Sequence, residues 1–277
     1  TADSSSEECM PEADPFDCER IQRETFVARV HYQPQMSSTS DVALELVAEG
    51  FDESSLLVLA GQQSAGRGRG ANRWWSAGGG LTFTLVLSGS QSGLPQECWP
   101  RFSLHVALAA GETLSAYAPG TPVGLKWPND VFLGRRKACG ILLEVPPAQP
   151  DCLVIGIGLN VNNSLEGGPT EIRQTATSLV DETGLEHDRT DVLIRLLQEL
   201  EREVNRVVAG EAALADRWRP LCLVRGRTIT HRAATREVTG RCLGVAEDGS
   251  LLLETPAGVS PLYGGTLAAV EGLTLAR

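Results

Sequence analysis

The sequence contains no feature that would place the protein in a membrane or on a secretory route. No apolar run approaches the ~18–20 residues that a membrane-spanning helix requires, and the first residues are acidic, whereas a secretory signal is basic and then apolar. The seven cysteines include no Cys-x-x-Cys pair, their number is odd, and no histidine stands at ligand spacing from them, which argues against structural zinc. We therefore expect reduced thiols and a cytoplasmic protein.

Basic and aromatic residues are also scarce. The 24 lysines and arginines face 35 acidic residues, and the net charge of −11 argues against non-specific binding to nucleic acid or to an anionic membrane. Because only 5% of the residues are aromatic, the core volume has to come from leucine, valine, alanine and isoleucine; a hydrophobic fraction of 42% is sufficient for a folded core. The 277 residues have room for one large domain or for a medium and a small one.

The pattern of apolar residues and turn signals divides the chain into three parts. Residues 1–24 are polar, acidic and interrupted by proline, which predicts a disordered tail. Residues 25–220 combine helical and strand periodicities. The predicted strands cover 26–31, 56–60, 81–88, 123–127, 137–145 and 152–161, and the predicted helices cover 42–48, 99–117 and 190–208. Residues 221–277 carry four short strands, at 222–231, 236–245, 250–254 and 259–263, a spacing typical of a small barrel.

A glycine- and arginine-rich stretch at residues 63–74 is the most informative local feature. Arg67, Arg69 and Arg73 stand there among alternating glycines, directly after a predicted buried strand. Glycine lets the backbone curl and expose its N–H groups to an anion, and guanidinium groups pair with phosphate or carboxylate through two hydrogen bonds. The stretch therefore predicts a mobile loop that closes over a polyanion, with phosphate as the expected target.

Other interpretations compete with this phosphate-binding loop. Residues 66–71 fit the loose Gly-x-Gly-x-x-Ala dinucleotide fingerprint, but the helix that this motif requires is not predicted after them. A P-loop is excluded because the sequence contains no Gly-Lys-Ser or Gly-Lys-Thr. The stretch also fits an exposed loop without function, or an Arg/Gly segment that binds RNA, which the net charge disfavours.

A second motif joins two predicted strands. In Lys126-Trp127-Pro128-Asn129-Asp130 the proline removes a backbone donor and sharpens the turn, which fixes Asn129 and Asp130 at the end of a strand. Such a pair of oxygen ligands suits magnesium on a nucleotide. Lys137 opens the next strand, where Gly140 permits the close approach of a ligand. The same residues also fit a tight hairpin in which Asn-Asp forms an ordinary turn.

A third motif, Gly156-Ile157-Gly158-Leu159-Asn160, lies on a predicted buried strand. Its glycines either relieve crowding against a neighbouring strand or leave room for a flat ligand, in which case Asn160 offers an amide to the site. Each motif is ambiguous alone, and their order along the chain is more specific than any one of them.

The ordered motifs resemble those of the biotin–protein ligase family. The matching stretches are Ser38-Thr39 and residues 63–69, 126–130, 137–144 and 156–162, and the likeness extends over roughly residues 35 to 275. The Gly-Arg-Gly-Arg loop followed by Lys-Trp-Pro-Asn-Asp is highly specific, and lipoate ligases, which share the fold, differ at the arginine loop. We expect the form without an N-terminal DNA-binding domain, because the acidic residues before Ser38 are too few for a helix-turn-helix module and its basic recognition helix.

The resemblance implies an α+β fold in which helices flank a central mixed β-sheet, as in class II aminoacyl-tRNA synthetase cores, followed by a small Src-homology-like β-barrel. It implies an ATP-dependent enzyme that forms biotinyl-5′-AMP and transfers biotin to a lysine of the biotin carboxyl carrier domain of acetyl-CoA carboxylase or a related enzyme. ATP and Mg²⁺ would be required, no nucleic acid or membrane partner is expected, and a monomer and a homodimer are both compatible with the family.

The resemblance further implies roles for individual residues. The expected biotin-binding residues are Ser38, Thr39, Gln63, Gly66, Arg67, Gly68, Arg69, Lys137 and Gly140. The expected ATP-binding residues are Trp74, Lys126, Asn129, Asp130 and Asn160, of which Asn129 and Asp130 would also face the metal. As catalytic residues, Lys137, Arg67 and Arg69 would screen the repulsion between the biotin carboxylate and the α-phosphate. Asp130 would assist the loss of a proton from the acceptor lysine.

Two departures from the family pattern concern the site. The position after Thr39, which usually holds asparagine, is Ser40 here, so one hydrogen bond on the biotin side differs. The loop ends Gly70-Ala71-Asn72-Arg73 and is less basic than in some members. A ligase for lipoate or octanoate and a biotin-binding regulator without turnover are the alternatives that the sequence leaves open.

Overall fold

A seven-stranded mixed sheet forms the centre of the computed structural model, which describes residues 16–211, 213–233 and 236–274. The strands are β1 (Arg29–Met36), β2 (Ser55–Gln63), β3 (Leu81–Ser88), β4 (Val123–Lys126), β5 (Asp130–Leu133), β6 (Arg136–Glu144) and β7 (Cys152–Leu159). They are hydrogen-bonded in the order β1-β2-β3-β7-β6-β5-β4, with β1 parallel to β2 and the other neighbours antiparallel. The expected central mixed sheet is confirmed.

Helices cover both faces of this sheet. They are α1 (Cys18–Glu24), α2 (Thr39–Glu49), α3 (Gly89–Ser92), α4 (Trp99–Tyr117), α5 (Thr170–Thr175), α6 (Leu179–Thr183), α7 (Arg189–Val208) and α8 (Leu214–Trp218). Side chains alternate along β3, so Phe83 and Leu85 join the apolar cluster that includes α4 and α7, whereas Val86 joins the cluster under α2. The predicted helices at 99–117 and 190–208 agree with α4 and α7 to within one residue.

The N-terminal residues differ from the prediction. Residues 18–24 form α1, whose first turn is capped by Asp17, and Phe16 and Ile21 are buried in the main core. The predicted disordered tail is therefore wrong for residues 16–24, because two apolar side chains anchor this short helix against the core. Residues 1–15 lie outside the described residues.

The first strand is also displaced from its prediction. It was expected at residues 26–31 and runs from Arg29 to Met36. Pro34 lies within it, and a proline is compatible with this strand because β1 is an edge of the sheet, where an N–H group need not join the hydrogen-bond ladder.

A five-stranded antiparallel sheet follows the central sheet along the chain. Its strands are β8 (Thr228–Ala233), β9 (Arg236–Val245), β10 (Leu251–Thr255), β11 (Gly258–Leu262) and β12 (Thr266–Val270), in the order β11-β10-β9-β8-β12. The expected small C-terminal β-structure is confirmed, with one strand more than the pattern predicted. Both β12 and β5 were missed because each has only four or five residues next to turn signals.

Contacts on both sides of the predicted boundary at residue 220 join the two sheets. The indole Nε1 of Trp127 donates to the carbonyl of Gly249 at 3.1 Å, and Leu125 exchanges backbone hydrogen bonds with Leu221 and Leu223. The C-terminal sheet therefore lies beside the end of β4, although the domain division itself stays a prediction. Within the described ranges, none of the helices combines the length and the apolar character that crossing a bilayer demands.

Candidate functional site

One cavity of about 680 Å³ brings most of the predicted site residues together. It is bounded by the loop at residues 63–74, by β6 and β7, and by part of the C-terminal sheet. The predicted residues that line it are Thr39, Gln63, Arg67, Gly68, Arg69, Trp74, Lys126, Asn129, Asp130, Lys137, Gly140 and Asn160. Ser38 and Gly66 are not among the lining residues. The Ser38 hydroxyl instead caps α2 by accepting a hydrogen bond from Asp41 N at 3.4 Å.

A buried carboxylate between two lysines forms one part of the cavity wall. Asp130 begins β5, Lys126 ends β4 and Lys137 lies on β6, so three adjacent antiparallel strands bring the groups together. Lys126 Nζ lies 2.8 Å from Asp130 Oδ2, and Lys137 Nζ lies 2.5 Å from Asp130 Oδ1. Burial raises the pKa of Asp130, but the ammonium groups, Lys137 before Lys126, outweigh burial and hold the pKa at about 2. Two ammonium groups and one carboxylate leave one net positive charge.

One of the two predicted magnesium ligands, Asp130, does not fit this arrangement. Both carboxylate oxygens of Asp130 are paired with ammonium groups, and the side-chain amide of Asn129 donates to the carbonyl of Ile141 at 2.7 Å. Mg²⁺ needs several oxygen ligands in octahedral geometry, and beside two lysines it would meet repulsion. Among residues 16–211, 213–233 and 236–274, no group of three His, Cys, Asp or Glu side chains could hold a metal ion. The assignment of Asp130 as a protein ligand of Mg²⁺ is therefore not supported, whereas that of Asn129, whose Oδ1 is not used by this hydrogen bond, stays a prediction.

The loop at residues 63–74 is folded as a small hairpin beside the cavity, and we call it the Gly/Arg loop. Gly68 N donates to Asn72 O and Trp74 N donates to Gly66 O, both at 2.9 Å. At its turn, Gly70 has φ +66°, a conformation that favours glycine. A Cβ atom on Gly66 would lie 2.6 Å from the carbonyl oxygen of Trp74. Gly66 thus lets the two arms of the loop approach each other, which explains its place in the motif.

The arginines of the Gly/Arg loop have different partners. Arg67 pairs with Asp41 at the start of α2, at 3.0 Å, and with Glu144 at the end of β6. Burial lowers the pKa of Arg67, but Glu144 and then Asp41 outweigh it, and the pKa is raised. Arg69 donates through Nη1 to the carbonyl of Gly265 at 2.6 Å, and burial lowers its pKa. The sequence predicted cations aimed at phosphate, whereas in the structure carboxylates and a carbonyl hold two of them.

The glycines of β6 and β7 make room for the ring of Trp74. A Cβ atom on Gly158 would overlap the indole, and one on Gly140 would lie 3.1 Å from it. Lys137 Nζ lies 5.9 Å from the centroid of the same ring, at the distance of a cation–π contact. The space that these glycines provide is thus filled in part by a side chain of the protein, and Trp74 forms a wall of the cavity.

A chain of polar groups connects Gln63 to Ser40 at another side of the cavity. Gln63 Oε1 accepts hydrogen bonds from Thr39 N at 2.7 Å and from Thr39 Oγ1 at 3.2 Å. Thr84 Oγ1 donates to Thr39 Oγ1 at 2.9 Å and lies 3.2 Å from Ser40 Oγ. A Cβ atom on Gly156 would lie 2.8 Å from Ser40 Oγ. The sequence analysis did not predict a role for Thr84. A polar threonine within a strand that is otherwise apolar and fully buried could have indicated one.

Asn160 lines the cavity, but its amide is already engaged. Its Nδ2 donates to the carbonyl of Thr177, and its Oδ1 accepts from Asn163 Nδ2, both at 2.9 Å. This network holds the chain that leaves β7. Trp75, next to Trp74, also lines the cavity and was not predicted. The other lining residues that were not predicted come from distant segments without a local motif: Leu165, Ile172, Thr175, Ala176, Arg232, Thr266, Leu267 and Ala268.

The cavity is positively charged in an otherwise acidic protein. Its cationic lining residues are Arg67, Arg69, Arg73, Lys126, Lys137 and Arg232, and Asp130 is its carboxylate. Such a concentration of one sign of charge in a cleft attracts anions and reduces the repulsion between them. The site is therefore suited to bringing two anionic groups into contact next to a hydrogen-bonding and apolar surface.

Comparisons with known proteins agree with this chemistry. Residues 32–160 match the model of the biotin/lipoate A/B protein ligase family. The chain is 33% identical over 237 residues to the bifunctional ligase/repressor BirA of Bacillus spizizenii, which covers 84% of this chain and 71% of that protein. It is 34% identical over 226 residues to the biotin–[acetyl-CoA-carboxylase] ligase of Paracoccus denitrificans, which covers 80% of this chain and 92% of that protein.

The fold has relatives among solved structures as well. The biotin protein ligase from Aquifex aeolicus in complex with biotin and ATP is similar with a TM-score of 0.73 and 27% sequence identity, over 87% of this chain and 98% of that chain. Sequence and fold therefore point to one family over most of the length of both partners. The chain belongs to the biotin protein ligase family.

Proposed function

We propose that this protein activates biotin with ATP to form biotinyl-5′-AMP and then transfers the biotinyl group to a lysine of a biotin carboxyl carrier domain. The observation that carries the proposal is that the Lys126–Asp130–Lys137 cluster and the Gly/Arg loop line one cavity. The names of the relatives support it, since the ligase of Paracoccus denitrificans acts on acetyl-CoA carboxylase and the Aquifex aeolicus enzyme binds biotin and ATP.

In the first step, a carboxylate oxygen of biotin attacks the α-phosphorus of ATP, and the bond to the pyrophosphate leaving group breaks. Both reactants are anions, so their approach is opposed by Coulomb repulsion. Lys137 lies 2.5 Å from Asp130 at the cavity wall, and its ammonium group can turn from this carboxylate to an oxygen of the reacting pair. We assign Lys137 the largest part in stabilising the charge that develops in the transition state.

In the second step, the neutral amine of the acceptor lysine attacks the biotinyl carbonyl carbon, AMP leaves with the electron pair of the broken bond, and the proton that the amine loses passes to solvent. The Gly/Arg loop keeps water away from this reactive anhydride until the acceptor arrives. Asp130 is poorly suited to act as the base for the acceptor, because a carboxylate with a pKa of about 2 that is paired with two lysines accepts a proton poorly. Its role is to orient Lys126 and Lys137.

The polar chain formed by Gln63, Thr39, Thr84 and Ser40 suits the ureido group of biotin. It places amide and hydroxyl groups at one side of the cavity, where they can exchange internal hydrogen bonds for bonds to the ligand. No step of this proposal relies on a metal ion held by the protein, since Asp130, which was predicted for that purpose, is paired with two lysines.

The test is an incubation of the protein with biotin, ATP, Mg²⁺ and an isolated carrier domain, followed by mass spectrometry. We expect the mass of the carrier to rise by one biotinyl group on a single lysine, together with biotin-dependent exchange between ATP and pyrophosphate. Exchange that requires lipoate or octanoate instead of biotin would show a different substrate. Biotin binding without labelling or exchange would show a regulator, and either result contradicts the proposal.

A further inference from the structure

We propose that the C-terminal sheet holds the Gly/Arg loop closed through the turn at Gly264 and Gly265, and that His231 is the positioning residue that fixes this turn. The consequence for retention of the adenylate rests on the proposed function, whereas the contact itself does not.

The contact joins two segments that are 196 residues apart in the chain. Arg69 Nη1 donates to the carbonyl oxygen of Gly265 at 2.6 Å, and the guanidinium group is partly buried there. A hydrogen bond from a charged donor is among the stronger contacts of its kind. The other loop arginine, Arg67, is held by carboxylates of α2 and β6. The loop is therefore attached to the central sheet at one point and to the C-terminal sheet at another.

The turn that accepts this hydrogen bond has a conformation that only glycine suits. Gly265 has φ +91°, and a Cβ atom there would overlap the His231 ring and lie 2.6 Å from the carbonyl oxygen of Arg232. His231 Nε2 lies 2.5 Å from the carbonyl oxygen of Gly264 and acts as the donor. Consecutive carbonyl groups thus have separate partners, because His231 holds that of Gly264 and Arg69 holds that of Gly265.

His231 packs against the motif at residues 126–130, which contains Lys126 and Asp130. It lies on β8 with 4% of its surface exposed, and its ring centroid is 6.3 Å from that of Trp127. Trp127, between Lys126 and the Asn-Asp pair, donates to the carbonyl of Gly249. A continuous set of contacts therefore runs from Trp127 of the motif at residues 126–130, through His231 and the turn at Gly264 and Gly265, to Arg69 of the Gly/Arg loop. Residues directly after the turn, from Thr266 to Ala268, line the same cavity.

A contact of this kind gives the C-terminal sheet a part in the catalytic cycle. Opening the loop requires Arg69 to leave Gly265, so anything that shifts the turn changes how often the loop opens. Loss of the His231 donor leaves the Gly264 carbonyl without this partner and frees the turn. We expect the loop to open roughly ten to a hundred times more often, as for the loss of one charge-assisted hydrogen bond.

The test is hydrogen exchange of the amides at residues 64–74 in the full chain without ligands. His231→Phe keeps a ring against Trp127 but removes the donor, and we expect faster exchange in the loop. His231→Gln restores an N–H donor, and exchange should return close to the original rate. Val270→Ala is the matched control, because it loosens a buried position of β12 at residue 270, away from the turn. Its loop exchange should stay within about twofold of the original, whereas its melting temperature falls.

A double-mutant cycle with Arg69→Ala tests whether both residues act through the same contact. If they do, the combined variant exchanges no faster in the loop than the faster single variant, whereas independent effects multiply. Arg69→Ala also serves if His231→Phe fails to fold, since it removes the other end of the contact and should speed loop exchange by itself. Unchanged loop exchange in His231→Phe, an equal increase in Val270→Ala, or multiplying effects would overturn the proposal.

A second experiment measures the rate at which biotinyl-5′-AMP leaves the enzyme. His231→Phe should release it faster while the exchange between ATP and pyrophosphate changes little, because the reacting groups are untouched. If the protein forms no adenylate, the proposed function fails, and the loop measurements without ligand still decide the contact. If adenylate forms and the variants that exchange faster in the loop also release it faster, the proposed function and the proposed contact are both supported.

Discussion

Asp130 and Glu203 are both buried carboxylates, and both have a pKa of about 2. Asp130 is paired with Lys126 and Lys137 at the wall of the main cavity. Glu203 lies on α7, where Arg217 binds it with two hydrogen bonds of 2.6 and 2.7 Å and His105 Nδ1 lies 3.0 Å away. Burial raises the pKa of Glu203, but the hydrogen bonds from His105 and Arg217 outweigh it.

The difference lies in the partners and in the space beside them. Arg217 binds Glu203 in a fixed two-pronged geometry that ties α7 to α8, and His105 adds α4. The lysines paired with Asp130 are point charges on flexible stems at the wall of a cavity, so each can turn to a ligand. A lowered pKa therefore does not identify a reactive site by itself, because structural ion pairs lower it equally. The type of cation and the neighbouring cavity distinguish the two.

Glu203→Ala should have the largest effect, and it should be on stability. Removing the carboxylate leaves the half-buried Arg217 and the buried His105 ring without this partner, which we expect to lower the free energy of unfolding by about 3–5 kcal/mol. Urea denaturation measures this change. As a control, Asp216→Ala breaks the exposed pair with Arg219 and should cost less than about 1 kcal/mol. An unchanged free energy of unfolding in Glu203→Ala would contradict the structural role of Glu203. So would a folded fraction that has lost the biotin-dependent exchange between ATP and pyrophosphate.

Lys137→Ala should have the opposite profile. We expect exchange between ATP and pyrophosphate to fall roughly 100- to 1000-fold, as when one preorganised donor to a developing charge is removed, with a small change in stability because Lys126 still pairs with Asp130. Arg135→Ala removes a nearby exposed cation that does not line the cavity and should keep its activity within about twofold. Equal losses in both variants would mean that general charge, and not the position of Lys137, supports adenylation.

Acid should reveal the contribution of Glu203 to stability. The pKa of Glu203 in the folded state, about 2, lies below the ordinary value near 4.3. The ionised carboxylate of Glu203 therefore stabilises the fold above about pH 5, and this contribution is lost as the pH falls towards 2. The expected loss is about 3 kcal/mol. Unfolding in urea at a series of pH values measures it. Glu203→Gln, which cannot titrate, should flatten this part of the profile, and an unchanged slope would contradict the assignment.

Arg67→Ala tests an ion-paired residue that belongs to a movable segment. Its loss removes the pairs with Asp41 and Glu144 that hold the Gly/Arg loop, and biotinyl-5′-AMP should leave roughly ten to a hundred times faster. Trapping of released adenylate by hydroxylamine measures the rate. Arg135→Ala, which removes an exposed arginine that does not line the cavity, should change it less than about threefold. An equal effect of both would show that the carboxylate partners of Arg67 do not matter.

Ser40→Ala should have the smallest effect. The change removes one hydroxyl 3.2 Å from Thr84 Oγ1 and leaves the bonds between Thr84, Thr39 and Gln63. Because a neutral hydrogen bond contributes about 1 kcal/mol, biotin should bind less than tenfold more weakly by calorimetry. Thr84→Val interrupts the chain at its centre and should weaken binding more. A hundredfold loss in Ser40→Ala would instead make Ser40 a principal ligand.

Local patterns in the sequence predicted the elements that are long and periodic. The helix at 99–117 and the strand at 81–88 have many apolar positions on which the period can be recognised, and both predictions match the structure. Helix α1 was missed because its seven residues bury a single side chain, Ile21. The four residues of β5 stand within turn signals and show no period of their own. Short elements depend on the tertiary contacts that bury them.

The sequence alone predicted most of the motif residues that line the cavity, because the glycines, arginines and lysines of the motifs are constrained by the backbone and the charge that they provide. Only the tertiary structure decided how these groups are paired. Asp130 lies between two lysines, Arg67 is held by two carboxylates, and Arg69 contacts a turn 196 residues away. These pairings form between segments that are distant in the chain, and they depend on burial and on strand order, which local sequence does not encode.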